Sequence, residues 1–153
     1  MPQAGGVRCV ARITAPVSGE NFMTGEDGVA AVVARFYAAV RSNDVDVWVA
    51  LFAVDATAAD PVGAPVHRGQ EGLRAFLSGV LQQFETFGLT QNAVYCVSGG
   101  AAVKWTGLGR GRNGRSVEFE GIDVFEVDAH GLIKSLSAYW DAAPDLEVIS
   151  ARS

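Results

Sequence analysis

The second half of the chain consists of four strand-like stretches joined by short turns that contain glycine. These stretches are rich in β-branched, aromatic and alternating apolar residues, which is typical of β-strands, and the short turns favour antiparallel hairpins. The sequence predicts strands at residues 89–97, 101–108, 116–128 and 132–139. A chain of this kind is therefore expected to end in an antiparallel meander.

The first half has helical spacing instead. A helix predicted over residues 26–42 carries its apolar side chains on one face: Val29, Val32, Val33, Phe36 and Val40. We expect a shorter helix through Trp48 and Phe52, a short strand at 57–59, a turn at 60–63 and a third helix from Gly69 to about Phe84. Helices followed by a meander indicate the α+β class.

Length and composition fit one domain. The 153 residues are enough for a single core. We predict a domain over residues 24–145, a loose N-terminal tail over 1–23 and a C-terminal tail over 146–153. Apolar residues make up 49% of the chain and charged residues 19%, which excludes disorder for most of it.

The same composition excludes several classes of partner. A net charge of −5 with only 12 lysines and arginines argues against nucleic acid. No apolar stretch reaches the ~18 residues of a membrane span. The two cysteines form no disulfide framework, which suits a reducing cytoplasm. Metal-ligand spacing and a phosphate-binding glycine loop are missing from the sequence, so we expect neither a metal nor a cofactor.

Asp123 is the strongest candidate for a functional residue. Side chains of a strand alternate between its two faces. One face of the predicted strand 116–128 carries Val117, Phe119, Gly121, Asp123, Phe125 and Val127. A carboxyl on such an apolar face is costly unless it is partnered or protonated, and burial raises its pKa. One interpretation is an acid that donates a hydrogen bond to a developing oxyanion. The alternatives are an aspartate held by a buried structural partner, and a strand whose alternation is disturbed by Gly121.

Asp60 is the second candidate. An aspartate before a proline commonly begins a turn, so Asp60 on its own is also an ordinary turn residue. Together with Asp123 it suggests two carboxyl groups that titrate at different pH values. Large aromatic side chains are core residues by default, but some could line a pocket between helices and sheet. The candidates for contact with a ligand are Phe36, Phe52, Phe76, Trp105, Phe119 and Trp140.

Several segments resemble the ketosteroid isomerases of the nuclear transport factor 2-like superfamily. In the first half they are ARFY at 34–37, LFAVDAT at 51–57, DPVG at 60–63 and PVHRGQE at 65–71. In the second half they are IDVFEVDAHGLI at 122–133 and AYW at 138–140. The resemblance implies three helices packed on a curved, mostly antiparallel sheet around a deep apolar cavity.

The resemblance also implies roles for individual residues. Asp60 matches the general base of the family, and Asp123 matches its protonated aspartate, a standard example of a carboxylic acid kept neutral in an apolar site. Trp140 matches an aromatic residue near the base. The family's oxyanion tyrosine falls at Phe36, which has no hydroxyl. Tyr37 lies about 100° further around the helix, so we do not expect it to take that place.

Three functions are compatible with this sequence. The first is a cofactor-independent isomerase of the ketosteroid type, acting on a small hydrophobic polycyclic or polyketide-like ketone. The second is a polyketide epoxide hydrolase or cyclase, in which Asp60 and Asp123 open the epoxide by acid–base catalysis. The third is a non-catalytic protein that binds a small ligand. The resemblance implies a homodimer through the outer face of the sheet, although Glu118, Glu120 and Glu126 predict a polar surface there.

Overall fold

Three helices precede most of the sheet and pack against one of its faces. The computed structural model describes residues 25–141. Its helices are α1 (Glu26–Arg41), α2 (Val45–Ala50) and α3 (Gly69–Gln83). The predicted α+β class is confirmed. Both predicted tails, Thr24 and residues 142–145 lie outside the described residues.

Six strands form one sheet. They are β1 (Phe52–Ala59), β2 (His67–Arg68), β3 (Phe84–Val97), β4 (Gly100–Gly111), β5 (Ser116–Val127) and β6 (Ile133–Tyr139). Their order across the sheet is β2-β1-β6-β5-β4-β3. Only the pairing of β1 with β6 is parallel, and all the other neighbours in this sheet are antiparallel. β6, the last of these strands in the chain, thus lies beside β1. This pairing brings the two halves of the chain together.

The first helix has the extent and the apolar face that the spacing predicts. Its buried residues include Val29, Val33, Phe36 and Val40. The helix is followed by Asn43, whose φ of 57° lies in the left-handed region that asparagine tolerates. The side chain of Asp44 then accepts a hydrogen bond from the backbone N–H of Val47 at 3.0 Å, which begins α2.

The beginning of β1 differs from the prediction. Phe52, expected in the second helix, is the first residue of an eight-residue strand, and the predicted strand at 57–59 is only its end. Its pairing with Ile133 of β6 explains the difference, because a partner 81 positions away in the chain cannot be seen in local spacing.

The beginning of β3 also differs. The strand starts at Phe84, where the third helix was expected to end, and not at Leu89. Irregular register between Phe84 and Thr86 interrupts the alternation of side chains. The side chains at the beginning of this strand therefore do not alternate between its two faces. Without this alternation the sequence alone does not indicate a strand there.

The core lies between the helices and the inner face of the sheet. It contains residues from all three helices and from β1, β3, β4, β5 and β6, and partly buried aromatic side chains such as Phe76 and Phe119 pack against it. No helix among residues 25–141 is long and apolar enough to cross a membrane.

Candidate active site

Asp123 lies on the inner face of β5, as the alternation of side chains predicts. Its side chain is buried, with a relative exposure of 3%, between Gly121 and Phe125 on the same face. The glutamates of the opposite face are exposed. Loss of water raises the pKa of Asp123 to about 7, and the nearby charge of Asp60 contributes to the increase. A substantial fraction of this carboxyl is therefore protonated at neutral pH.

Tyr37 of α1 holds one oxygen of this carboxyl group. The phenol O–H donates a hydrogen bond of 2.6 Å to Asp123 Oδ2, and the tyrosine is fully buried. Burial and the adjacent carboxyl raise the pKa of Tyr37 far above its ordinary value, so the phenol remains a donor. This bond partly offsets the effect of burial and lowers the pKa of Asp123.

Asp60 directly follows β1. The indole N–H of Trp140, just beyond β6, donates a hydrogen bond of 2.6 Å to Asp60 Oδ1. The parallel pairing of β1 and β6 brings the two residues together, because the two strands end at the same edge. Loss of water raises the pKa of Asp60 to about 6, while the indole bond lowers it. Asp60 is therefore mostly ionised at pH 7, yet a stronger base than an exposed aspartate.

Both carboxyl groups line one cavity of about 240 Å³ between the helices and the sheet. Apolar and aromatic side chains form most of its wall. Its other lining residues are Phe36, Val40, Trp48, Pro61, Phe76, Leu77, Val80, Gln83, Phe84, Phe87, Leu89, Trp105, Phe119 and Trp140. Two desolvated carboxyls in an apolar cavity of this kind are suited to proton transfer with an apolar ligand.

Five of the six predicted ligand-contacting aromatic residues line this cavity: Phe36, Phe76, Trp105, Phe119 and Trp140. Phe52 is the exception and is a correction to the prediction. It is completely buried, and its ring centroid lies 4.7 Å from that of Trp48. Trp48 of α2 lies between Phe52 and the cavity, because it packs on Phe52 and itself forms part of the wall.

Nine of the lining residues were not predicted, among them Trp48, and neither was the contact of Tyr37 with Asp123. Trp48 carries a weak signal, since it lies among apolar residues of a short helix next to Val49. Tyr37 carries no such signal as a partner of Asp123, because the two are 86 positions apart. Within residues 25–141, no group of three or more His, Cys, Asp or Glu side chains is arranged to hold a metal ion.

Gly121 gives the aromatic wall its shape. A Cβ atom at this position would lie 2.6 Å from Trp105 Cζ2 and 2.8 Å from Trp140 Cβ. Carbon atoms do not approach so closely, so the missing side chain is what allows both tryptophans to lie against β5. Gly121 does not disturb the alternation around Asp123, because residues 117–127 keep one inner face.

Comparison with known proteins connects this geometry with one family. Residues 33–136 match the family model described as a SnoaL-like domain. The chain is 36% identical over 126 residues to a steroid Δ-isomerase of Nocardioides simplex, an alignment that covers 80% of this chain and 97% of the relative.

Two solved structures share the fold. One is SalBIII, described as an epoxide hydrolase/cyclase-like enzyme in pyran ring formation in the polyether salinomycin. It has 24% identity and a TM-score of 0.72, with 78% of this chain and 95% of the other covered. The second is RV0760c of Mycobacterium tuberculosis in complex with estradiol-17β-hemisuccinate, with 21% identity, a TM-score of 0.68 and coverages of 74% and 93%.

Proposed function

The chain belongs to the SnoaL-like domain family, and from this premise we propose that it is a cofactor-independent isomerase of the ketosteroid type. The reaction would move a proton at the carbon next to a carbonyl group, through an enolate, on a polycyclic or polyketide-like ketone. The observation that carries this proposal is that two desolvated carboxyl groups, Asp60 and Asp123, line one apolar cavity.

Asp60 is the proposed base. Trp140 occupies Oδ1 and fixes the orientation of the carboxylate, which leaves Oδ2 to accept a proton. A pKa of about 6 makes this group basic enough to remove a proton from an activated carbon while it is still ionised at pH 7. The C–H electron pair moves into the conjugated system as an enolate, and Asp60 then returns the proton to another carbon.

Asp123 is the proposed hydrogen-bond donor to the enolate oxygen. Since Tyr37 donates to Oδ2, the acid proton is best placed on Oδ1, where it can point to a ligand in the cavity. In an apolar surrounding such a bond strengthens as negative charge develops on the substrate oxygen. Asp123 begins and ends the reaction protonated and Asp60 begins and ends it ionised, so the complete cycle consumes and releases no net proton.

The first experiment is an isomerisation assay with the native protein and a β,γ-unsaturated ketosteroid in D₂O. Absorbance would follow formation of the conjugated enone, and NMR would follow exchange at the carbon next to the ketone. We expect both. Binding of the steroid without exchange or isomerisation would contradict the proposal for this substrate class, and would favour a protein that only binds its ligand.

Opening of an epoxide is the second candidate, because a base and a neutral acid facing one cavity can also activate water and protonate an epoxide oxygen. The shared fold of SalBIII is compatible with this chemistry. An epoxide-bearing polyketide analogue in H₂¹⁸O distinguishes the two functions. Incorporation of ¹⁸O into a diol, or cyclisation without it, would identify the epoxide reaction if the ketosteroid is unchanged.

The pH dependence of kcat/KM is expected to be bell-shaped with a narrow maximum between pH 6 and 7. The rate should rise as Asp60 ionises through its pKa of about 6, and fall as Asp123 loses its proton through its pKa of about 7. The Asp123→Asn variant keeps a donor N–H at every pH and should lose only the alkaline limb. A profile that is flat from pH 5 to 8 would exclude these assignments.

We also propose that the protein is a homodimer through the outer face of the sheet. Beside the expected glutamates, this face exposes an apolar patch, here called the outer patch: Tyr95, Val97, Ile122, Val124 and Tyr139. Ile122 and Tyr139 are direct neighbours on β5 and β6, and Val124 follows on the same face. Exposed apolar side chains that adjoin one another favour association with a second surface of the same kind.

Sedimentation velocity tests the dimer. The native protein should sediment as a species of twice the 16.1 kDa chain mass, and Ile122→Lys should shift it to the monomer. Val47→Lys is the matched control, because Val47 is 45% exposed like Ile122 but lies on α2 in the helical layer. A native monomer at tens of micromolar, or an Ile122→Lys dimer, would contradict this interface.

A further inference from the structure

Two indole nitrogens in the described part of the chain are buried and have no hydrogen-bond partner. They are Nε1 of Trp48 and Nε1 of Trp105. Both side chains line the cavity. A buried donor without an acceptor lowers the stability of the folded protein, so its retention needs an explanation, such as an acceptor that arrives with a ligand.

Trp105 lies beside Asp123. On the inner face of the sheet, Val103 of β4 is paired with Asp123 of β5, and Trp105 is paired with Gly121. The indole crosses the place where a side chain of residue 121 would be, with Cζ2 only 2.6 Å from that position. Because Cζ2 and Nε1 are bonded to the same ring carbon, the N–H edge of the indole is the edge that faces β5.

The electrostatics agree with this placement. The Trp105 N–H is close enough to the Asp123 carboxyl to lower its pKa, although it is the smallest of four influences and the contact falls short of hydrogen-bond geometry. Trp48 has no comparable influence on Asp123, and its ring packs at 5.7 Å from Phe36 and 4.7 Å from Phe52. Of the two unpartnered donors, Trp105 is therefore the one directed towards the acid.

We propose that the Trp105 indole N–H donates a second hydrogen bond to the substrate oxygen that Asp123 contacts. This inference rests on the proposed function and deepens it. The first helix supplies no hydroxyl at the cavity wall. Its lining residue Phe36 has none, and Tyr37 does not line the cavity and donates its hydrogen bond to Asp123. The indole of β4 would supply the donor that the helix lacks.

The proposal also defines the class of ligand. One oxygen that receives two donors must carry two lone pairs and little steric bulk, as a ketone, enolate or phenolate oxygen does. The rings of Phe119 and Trp140, whose centroids are 5.4 Å apart, adjoin Trp105 and would contact the flat apolar body of the ligand. Ligands of the same shape without this oxygen should leave both donors unpaired and bind more weakly.

NMR of the native protein tests the contact without any substitution. The protein, labelled with ¹⁵N in tryptophan, is titrated with 2-naphthol and with naphthalene, which exert nearly the same ring-current effect. We expect the Trp105 indole proton to move downfield with 2-naphthol relative to naphthalene, while those of Trp48 and Trp140 respond alike to both. Equal responses of Trp105 to the two ligands would overturn the proposal.

The Trp105→Phe variant tests the energetic role, since phenylalanine keeps an aromatic ring and removes the donor. We expect its preference for 2-naphthol over naphthalene to fall, and kcat for the ketosteroid to fall about 10²-fold with little change in KM. An unchanged preference would overturn the proposal. A third outcome separates the two proposals. If the native protein isomerises no ketosteroid but Trp105→Phe still loses its preference for 2-naphthol, the proposed function is contradicted, while Trp105 is retained as a residue that binds the ligand oxygen.

Discussion

Asp60→Asn is expected to lower kcat for the ketosteroid by about 10²–10⁴, the usual contribution of a positioned general base. The amide has nearly the same shape as the carboxylate and can still accept the Trp140 hydrogen bond through its oxygen. It cannot accept the proton from carbon. Binding of the substrate should therefore change little, and both isomerisation and solvent exchange should be lost together in the D₂O assay.

The matched control for this substitution is Asp55→Asn. Asp55 lies on the same strand, β1, but is exposed and does not line the cavity. The Asp55→Asn substitution removes one negative charge at a similar position in the chain and should leave kcat near the native value. Equal losses in both variants would mean that charge or folding, and not a proton acceptor at position 60, determines the rate.

Asp123→Leu is expected to lower kcat by about 10²–10³, the effect of removing one oxyanion donor. It should at the same time stabilise the folded protein at pH 8. In the folded state the pKa of Asp123 is raised from 3.8 to about 7, so the carboxyl opposes folding progressively as the pH rises from 4 to 7 and fully above 7. At about 1.4 kcal/mol per pKa unit, removing this group contributes on the order of 4 kcal/mol at pH 8.

The leucine leaves the Tyr37 hydroxyl without its acceptor, which reduces that gain. Asp123→Asn is the companion variant, because it keeps an acceptor for Tyr37 and a donor for the substrate. It should lose less activity than Asp123→Leu, and in both variants the unfolding free energy should depend less on pH between 6 and 8 than in the native protein. Denaturant unfolding at several pH values measures this. A leucine variant with full activity would remove Asp123 from the mechanism.

The sequence predicted the parts of this protein that depend on local periodicity. The first helix, the meander and the burial of Asp123 follow from side-chain spacing, and the family resemblance is confirmed by the SnoaL-like match. Phe52 could not be placed correctly, because its environment is set by Ile133 and by Trp48 of another element. Tyr37 was missed for the same reason, since its acceptor comes from a strand formed much later in the chain.

The strand order has a consequence for when this site can form during synthesis. The hydrogen bonds that hold Asp60 and Asp123 join residues 80 and 86 positions apart. β6, which lies between β1 and β5 and leads into Trp140, is the last strand of the sheet in the chain. A nascent chain therefore carries Asp60 without its orienting partner until β6 has left the ribosome and inserted between its neighbours. Formation of the Asp60–Trp140 hydrogen bond and completion of the sheet thus become one late event of folding.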